Sequence, residues 1–258
     1  MDTPQAIPAS GEPAAKISWS DKFVGVLTSP GELFTAIGRS PVVNSNWVVP
    51  TVILAIVGSI LAYVVMSNPS IADQVRRVAS EQMEQRFQKA IAEGKMTQQQ
   101  ADQARAQAES FGATGILISS VVAPLIMPFV GVFAWSLVFW LLGKAVMKAN
   151  VPYLKVAEVY GLTNFIGLIG AVVTTIMIIG MDKFSASPSV MLFLGEFNAS
   201  NSWHKFAASL NVFSLWQIAA VGIGCARIFQ KETTKVLVLV FALWLLWICA
   251  ITFGLGAL

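Results

Sequence analysis

The longest uncharged stretch of the chain constrains its fold more than any other feature. No charged residue lies between Glu109 and Lys144. This gap of about 34 residues exceeds the roughly 20 apolar residues with which a helix crosses the hydrocarbon core of a bilayer. Because backbone N–H and C=O groups in lipid must be satisfied within their own segment, such a stretch is typical of a transmembrane helix. The sequence therefore predicts an integral membrane protein.

The composition of the whole chain agrees with this prediction. Of the 258 residues, 55% are hydrophobic and 12% are charged, whereas soluble domains contain about 25% charged residues. The net charge of +3 is spread along the chain, and no polybasic block of the kind that binds nucleic acid is present. We therefore expect membrane lipids, and no nucleic acid, as partners. Cys225 and Cys249 both lie in apolar runs, which favours inert buried thiols over a disulfide.

The apolar runs predict an all-α polytopic membrane protein with a bundle of five transmembrane helices within residues 41–258. We expect the spans at about residues 47–66, 114–143, 159–181, 206–228 and 236–256. Lys and Arg are densest in the short connections 144–158 and 227–235, and such residues favour the cytoplasmic side. This bias predicts a cytoplasmic N-terminus and an outside C-terminus, most simply in the bacterial cytoplasmic (inner) membrane.

The region before the first span divides into two parts. Residues 1–18 are rich in Pro, Ala and Ser and lack periodicity, which predicts a disordered tail. Residues 19–40 are amphipathic and are expected on the cytoplasmic side, with Ser29 as an N-cap, Pro30 in the first turn and Glu32 completing a capping box. Two interpretations remain open for this segment: it lies on the membrane surface, or it packs against the bundle.

A hydrophilic insertion at residues 69–110 separates the first two spans. Its apolar residues recur at helical spacing, Gly94 interrupts the pattern, and Thr97 with Gln100 forms a second predicted capping box. Basic and acidic residues are equal in number, so the insertion has no net charge with which to attract a charged partner. These features predict an extramembrane helical hairpin, interpreted as a solvated cap on the bundle, with a partner-docking module as the alternative.

Two groups of residues within the predicted spans are candidates for function. The first comprises possible helix kinks and intramembrane polar groups, namely Pro124, Pro128, Asn164 and Gln217, because proline frees a backbone carbonyl and an intramembrane amide bonds a neighbouring helix. The second comprises small residues spaced for close helix packing, namely Gly58, Ala62, Gly167, Ala171, Ala220 and Gly224.

No pattern in the sequence indicates catalysis, a metal or a cofactor. No cluster of His, Cys, Asp and Glu has the spacing of metal ligands. Ser119 and Ser120 lie in the second predicted span, but no predicted span contains a His or Asp that could activate them. We therefore expect no catalytic residue, no metal and no cofactor, and a protein that is not an enzyme.

The chain resembles the bacterial branch of the Yip1 domain family in the order and spacing of several short motifs. These are Ser29-Pro30 with Glu32 and Phe34, Trp47 with Pro50, the proline-bearing span that ends at Lys144, Tyr160-Gly161, and the segment Asn211 to Gly222. The resemblance implies a five-helix membrane bundle with a cytoplasmic N-terminus. Eukaryotic relatives are trafficking proteins that associate with prenylated Rab GTPases and with each other, but their Asp-Leu-Tyr-Gly-Pro signature is absent here. The resemblance transfers no catalytic residue.

Two functions fit these observations. The first is a non-enzymatic membrane scaffold, assembly or trafficking-type factor, which acts through helix–helix contacts with a protein partner or in a homo-oligomer. It is suggested by the small-residue faces and by the expected absence of buried charge. The alternative is a transporter or channel component for a neutral or hydrophobic small molecule, suggested by the prolines. Carriers coupled to ions hold ionisable groups inside the membrane, and the predicted spans contain no charged residue apart from Arg227 at the end of the fourth.

Overall fold

The computed structural model describes residues 17–254, so all but the last two residues of the predicted tail lie outside the described residues. Nine α-helices run through the described part of the chain: α1 Trp19–Thr28, α2 Pro30–Arg39, α3 Ser45–Met66, α4 Pro69–Ala92, α5 Gln98–Ala145, α6 Tyr153–Met181, α7 Ser202–Ser209, α8 Val212–Phe229 and α9 Thr233–Cys249. A short 3-10 turn, Val190–Phe193, precedes α7, and a π-helical turn, Ala250–Gly254, extends α9.

Five of these helices are long and apolar enough to cross a membrane, which confirms the predicted all-α, five-span bundle. They are α3, the part of α5 from Ile118, α6, α8, and α9 with its terminal turn. Two spans begin elsewhere than predicted. The third starts at Tyr153 rather than residue 159, and the fourth starts at Val212, because residues 202–209 form the separate helix α7.

Helix α6 lies at the centre of the bundle and contacts α1, α3, α5 and α8. Its first half is almost entirely buried. A Cβ atom at Gly161 would overlap the Cα of Trp47 and lie 2.5 Å from its Cβ. Only a residue without a side chain allows the backbones of α3 and α6 to approach this closely.

Helices α1 and α2 pack against the bundle, as in the second of the two interpretations left open above. Val26 and Phe34 are fully buried, with α1 against α6 and α2 against α8. Ser29 precedes α2 and Pro30 begins it, but the Ser29 side chain makes no capping hydrogen bond. The capping box predicted at Ser29 and Glu32 is therefore wrong. We call the end of the bundle formed by α1, α2 and the connections 146–152 and 230–232 the base.

The predicted hairpin is present at the opposite end, and its second arm is continuous with a span. Thr97 and Gln100 form the expected capping box, with hydrogen bonds of 2.9 and 3.2 Å. Helix α5 then runs for 48 residues without interruption at Pro124 or Pro128. At 1.5 Å per residue its length is about 72 Å, so roughly half of α5 projects beyond a hydrocarbon core of about 30 Å.

The two arms of the hairpin are joined to each other and to the rest of the chain by polar contacts. The guanidinium of Arg105 donates two hydrogen bonds to the carboxylate of Glu84, at 2.9 and 2.8 Å. This contact lowers the pKa of Glu84 below its ordinary value. Ser70 of α4 donates to the Asp182 carboxylate at 2.8 Å. Ser200, in the loop before α7, donates to the side-chain oxygen of Gln85 on α4 at 2.6 Å. Helix α4 is thus attached both to α5 and to the loop that joins α6 to α7.

Candidate functional site

A cluster of charged and polar side chains is buried at the base, where the sequence predicted an exposed connection. Glu158 is 0% exposed and Lys155 is 5% exposed, and both lie in the first two turns of α6. The Lys155 ammonium donates to the two carboxylate oxygens of Glu158 at 3.2 and 3.3 Å. It also donates to the backbone carbonyls of Ile37 and Pro41, both at 3.0 Å. Lys155 therefore joins the end of α2 to the start of α6.

The carboxylate of Glu158 also accepts from two groups before and within α3. The Val43 N–H donates to one oxygen at 2.7 Å, and the Asn46 amide donates to the other at 3.0 Å. The side-chain oxygen of Asn46, Oδ1, in turn accepts from the Lys22 ammonium of α1 at 2.8 Å. We call Lys22, Asn46, Lys155 and Glu158 the base network. It connects α1, the segment before α3, α3 itself and α6.

The base network contains two cations and one carboxylate, so it carries an excess of positive charge. Burial lowers the pKa of Lys22, while the negative charge of Glu158 opposes that shift. Buried charges are costly to remove from water unless they are paired and hydrogen-bonded. The arrangement satisfies that condition for Glu158 and Lys155, and Lys22 depends on Asn46 and on the face of the Trp19 ring, 4.3 Å from its ammonium.

The sequence analysis missed this network and expected no buried charge, which was wrong. Residues 144–158 were interpreted as a polar connection because Lys155 and Glu158 interrupt the apolar run. The signal that could have identified them is their spacing of three on a helix, with Val156, Ala157 and Val159 around them. All three of these neighbours are fully buried. An ion pair flanked by apolar residues on every side is placed in a packed interface, not on a solvated face.

A second polar cluster joins three spans in the interior of the bundle. The Asn164 amide on α6 donates to the Thr51 hydroxyl on α3 at 3.0 Å. The Gln217 amide on α8 donates to the Asn164 oxygen at 3.3 Å and to the Thr163 hydroxyl at 3.4 Å. The structure thus brings together Asn164 and Gln217, which the sequence singled out as separate polar positions. Such bonds between spans help to hold helices together in lipid.

An open groove lies between α3, α5, α6 and α8, with a volume of about 530 Å³. Four of the six small residues predicted for helix packing line it: Gly58, Ala62, Gly167 and Ala171. Gln217 lines it as well, together with Ser120, Thr174 and Thr175. Pro124 borders it, since a Cβ atom at Gly58 would lie 3.6 Å from the Cβ of Pro124. We call this the small-residue groove.

The remaining predicted positions lie elsewhere. Ala220 and Gly224 are buried within the chain, and a Cβ atom at Gly224 would overlap the side chain of Val159 and lie 2.8 Å from the Phe34 ring. This pair therefore packs against the chain's own α2 and α6. Pro128 is half-buried on α5 and is not among the residues that line the groove.

The described residues contain no group of three or more His, Cys, Asp or Glu side chains that could hold a metal ion. His204, the only histidine of the chain, accepts a hydrogen bond from the Asn198 N–H through Nδ1 at 3.0 Å. That contact orders the turn before α7. What the site offers is a binding surface in the groove and a charged, hydrogen-bonded junction at the base.

Comparison with known proteins gives one match. The family model of the Yip1 domain matches residues 24–254, which covers all five spans, the hairpin, α2 and the second half of α1. No curated protein and no solved structure matches the chain.

Proposed function

Because the chain belongs to the Yip1 domain family, we propose that it is a non-enzymatic membrane scaffold or assembly factor of the trafficking type implied by the family. In this role it holds a transmembrane helix of a partner protein in the small-residue groove. The observation that carries this proposal is the groove itself. Gly58, Ala62, Gly167 and Ala171 line it, and small residues let the backbone of another helix approach closely. Among the residues that the structure describes, none fills this open volume, whereas Gly224 is covered by Phe34.

The polar groups of the groove also suit a helix as the occupant. Thr174 and Thr175 lie on α6 beside Ala171, and Gln217 lies on α8 across from them. Hydroxyl and amide side chains of this kind form hydrogen bonds between helices in lipid, worth roughly 0.6–2 kcal/mol each. A partner helix with a matching polar residue would therefore gain both close packing and a directed contact.

The position of the ionisable groups supports a scaffold over an ion-coupled carrier. Such carriers place a titratable side chain where the coupling ion can reach it. Lys155 and Glu158 are buried at the base and bonded to each other, and neither lines the small-residue groove.

One observation favours the alternative, a transporter or channel component for a neutral or hydrophobic molecule. Gln217 and Ser214 line the groove and also a second cavity of about 180 Å³, whose walls include Trp135, Trp244 and Trp247. Two neighbouring cavities that share an amide and a hydroxyl could take up an uncharged molecule with a polar end.

The membrane and the orientation belong to the same proposal. We infer the bacterial cytoplasmic membrane, with the base on the cytoplasmic side and the hairpin outside. The basis is the density of Lys and Arg in the short connections at the base, which weighs most in topology.

Photocrosslinking in native membranes tests the scaffold function. A photoreactive residue at Leu61 faces the groove, and the same residue at Ile60, which is 56% exposed to lipid, is the matched control on the same helix. We expect an identified protein adduct from position 61 and not from position 60. The adduct should be lost in the variants Ala62→Leu and Ala171→Leu, which fill the groove.

The other outcomes decide between the remaining possibilities. An adduct with a second copy of this chain, sensitive to the same two variants, would make the partner a homo-oligomer. Adducts that form equally from both positions, or that persist when the groove is filled, would contradict the scaffold function. Flux of a neutral molecule into proteoliposomes that is lost in Gln217→Ala would support the transport alternative instead.

A further inference from the structure

A cleft at the base, about 550 Å³ in volume, lies between three connecting segments. Residues 38–42, 148–152 and 228–231 form its walls, with Lys155 also lining it. None of the residues that line the cleft is acidic, and three of them are lysines, namely Lys148, Lys155 and Lys231. We call it the basic cleft.

Two of the three lysines are available for a ligand. Lys148 and Lys231 are exposed and have no acidic partner among the residues that the structure describes; the ion pairs at this end are Lys155 with Glu158 and Lys235 with Glu232. Lys155 is fully engaged with Glu158 and the two backbone carbonyls. It therefore contributes positive potential to the cleft wall rather than a free donor.

The excess positive charge of the base network also favours an anion in the basic cleft. Lys22 and Lys155 are both buried, yet Glu158 is the one carboxylate bonded within the network among the residues that the structure describes. A buried positive charge without a full counter-charge is unfavourable. An anion in the basic cleft, adjacent to Lys155, would supply the missing negative charge without disturbing any existing contact.

The depth of the cleft in the membrane indicates the source of that anion. Trp140 donates its indole N–H to the Val151 carbonyl, in the cleft wall, at 2.9 Å, and its ring also contacts Tyr153 and the Lys144 ammonium. Trp and Tyr side chains gather at the level of lipid headgroups. The basic cleft thus lies where the spans α5, α6 and α8 reach the interface, within reach of phospholipid phosphates.

We propose that the basic cleft binds the phosphate headgroup of an anionic phospholipid through Lys148 and Lys231. Basic pockets between transmembrane helices on the cytoplasmic side hold such headgroups in other proteins. Arg39 and Arg227, together with Glu32, line a neighbouring depression at the same end, so that its lining residues carry a net positive charge. This site is separate from the small-residue groove and does not depend on the function proposed above.

Native mass spectrometry of the full chain, titrated with dioleoyl phosphatidylglycerol in detergent, tests the proposal. The double variant Lys148→Gln with Lys231→Gln removes both free cations of the cleft. The double variant Lys144→Gln with Lys235→Gln removes the same charge at the same end of the bundle, outside the cleft. We expect about twenty-five-fold weaker binding in the first and little change in the second, since each lysine near an anionic leaflet contributes a factor of about five.

Further measurements distinguish a phospholipid from other ligands, and the loss of a contact from the loss of folded protein. Dioleoyl phosphatidylcholine should not compete, and the charge-retaining variant Lys148→Arg with Lys231→Arg should still bind. Equal weakening in the two glutamine variants would overturn the proposal, as would equal binding of phosphatidylcholine. Glycerol phosphate that binds as tightly as the lipid would also overturn it, by identifying a soluble phosphate as the ligand.

Discussion

Three donors converge on the carboxylate of Glu158, and two of them belong to residues more than 100 positions earlier in the chain. The Lys155 ammonium, the Val43 N–H and the Asn46 amide each lie within 3.3 Å of one of its oxygens. Because each donor belongs to a different segment, a single side chain sets the relative position of α3, α6 and the connection that leads back to α2. Removal of one partner of a buried ion pair leaves the other charge uncompensated.

We predict that Glu158→Gln lowers the free energy of unfolding by about 3–5 kcal/mol, because the buried Lys155 ammonium loses the carboxylate to which it is bonded and Lys22 loses a nearby negative charge. Thermal unfolding of the purified protein in detergent measures the effect. Glu196→Gln, an exposed position in the loop before α7, is the matched control and should change stability by no more than about 0.5 kcal/mol.

The companion variant Lys22→Met separates charge from packing in the same experiment. It removes surplus positive charge, so we expect a smaller loss than for Glu158→Gln, limited to the hydrogen bond with Asn46. Equal losses for Lys22→Met and Glu158→Gln would contradict the charge argument, and unchanged melting of Glu158→Gln would contradict the network altogether.

Among the helices, the crossing of α3 and α6 brings two backbones closest. Gly161 meets the backbone of Trp47 there, and Asn164, one turn further along α6, bonds Thr51, one turn further along α3. Close packing and a polar contact thus act on the same two faces. Helix α3 contacts α5 in a different way, through a hydrogen bond from a side chain to the backbone. Ser59 of α3 donates to the Val121 carbonyl on α5 at 3.0 Å, close to the turn in which Pro124 lacks a backbone donor. A hydroxyl from a neighbouring helix is one way in which lipid-embedded proline is accommodated.

We predict that Gly161→Ala lowers the free energy of unfolding by about 1–3 kcal/mol, since the added methyl group forces α3 away from α6. Gly180→Ala on the same helix is the control, because a Cβ atom there would meet nothing within 4 Å. It should leave the melting temperature unchanged or raise it, as alanine favours a helix over glycine by about 1 kcal/mol. Identical behaviour of the two variants would show that the crossing is not tight.

The whole molecule has two different ends on the two sides of the membrane. The base is compact, with α1 and α2 packed on the spans and the charges paired or gathered at the basic cleft. The other end projects, because α5 continues beyond the bilayer and α4 folds back along it and the loop 182–201. Helix α3 alone separates α2 at the base from the hairpin, so one labelling experiment with a position on each side of it tests both that crossing and the orientation.

We predict that cysteines at the two ends react on opposite sides of the membrane. In a chain without Cys225 and Cys249, Gln88→Cys in the hairpin should react with an impermeant maleimide in intact cells. Ala36→Cys on α2, also exposed, should react only after the membrane is opened. The reverse result would contradict the inferred orientation, and labelling of both from one side would contradict a membrane crossing by α3.

The sequence alone determined the class of fold, the number of spans and the hairpin, because these follow from local properties. An apolar helix satisfies its own backbone hydrogen bonds, and the capping box at Thr97 involves residues three apart. The start of α6 was misplaced because Lys155 and Glu158 were interpreted as solvated charges. Their partners Lys22, Val43 and Asn46 are more than 100 residues away in the sequence, so no local pattern could show that the charges are satisfied.

Only the tertiary structure decided which small-residue pairs remain available for packing against another helix. Gly167 with Ala171 on α6 and Ala220 with Gly224 on α8 have the same spacing in the sequence. The first pair lines an open groove, whereas the second is buried, with Gly224 covered by Phe34 and Val159. A small residue permits close approach without specifying what approaches. The physical reason is that the occupant depends on how α2, α6 and α8 are arranged in space, and that arrangement is fixed by contacts between segments that are distant in the chain.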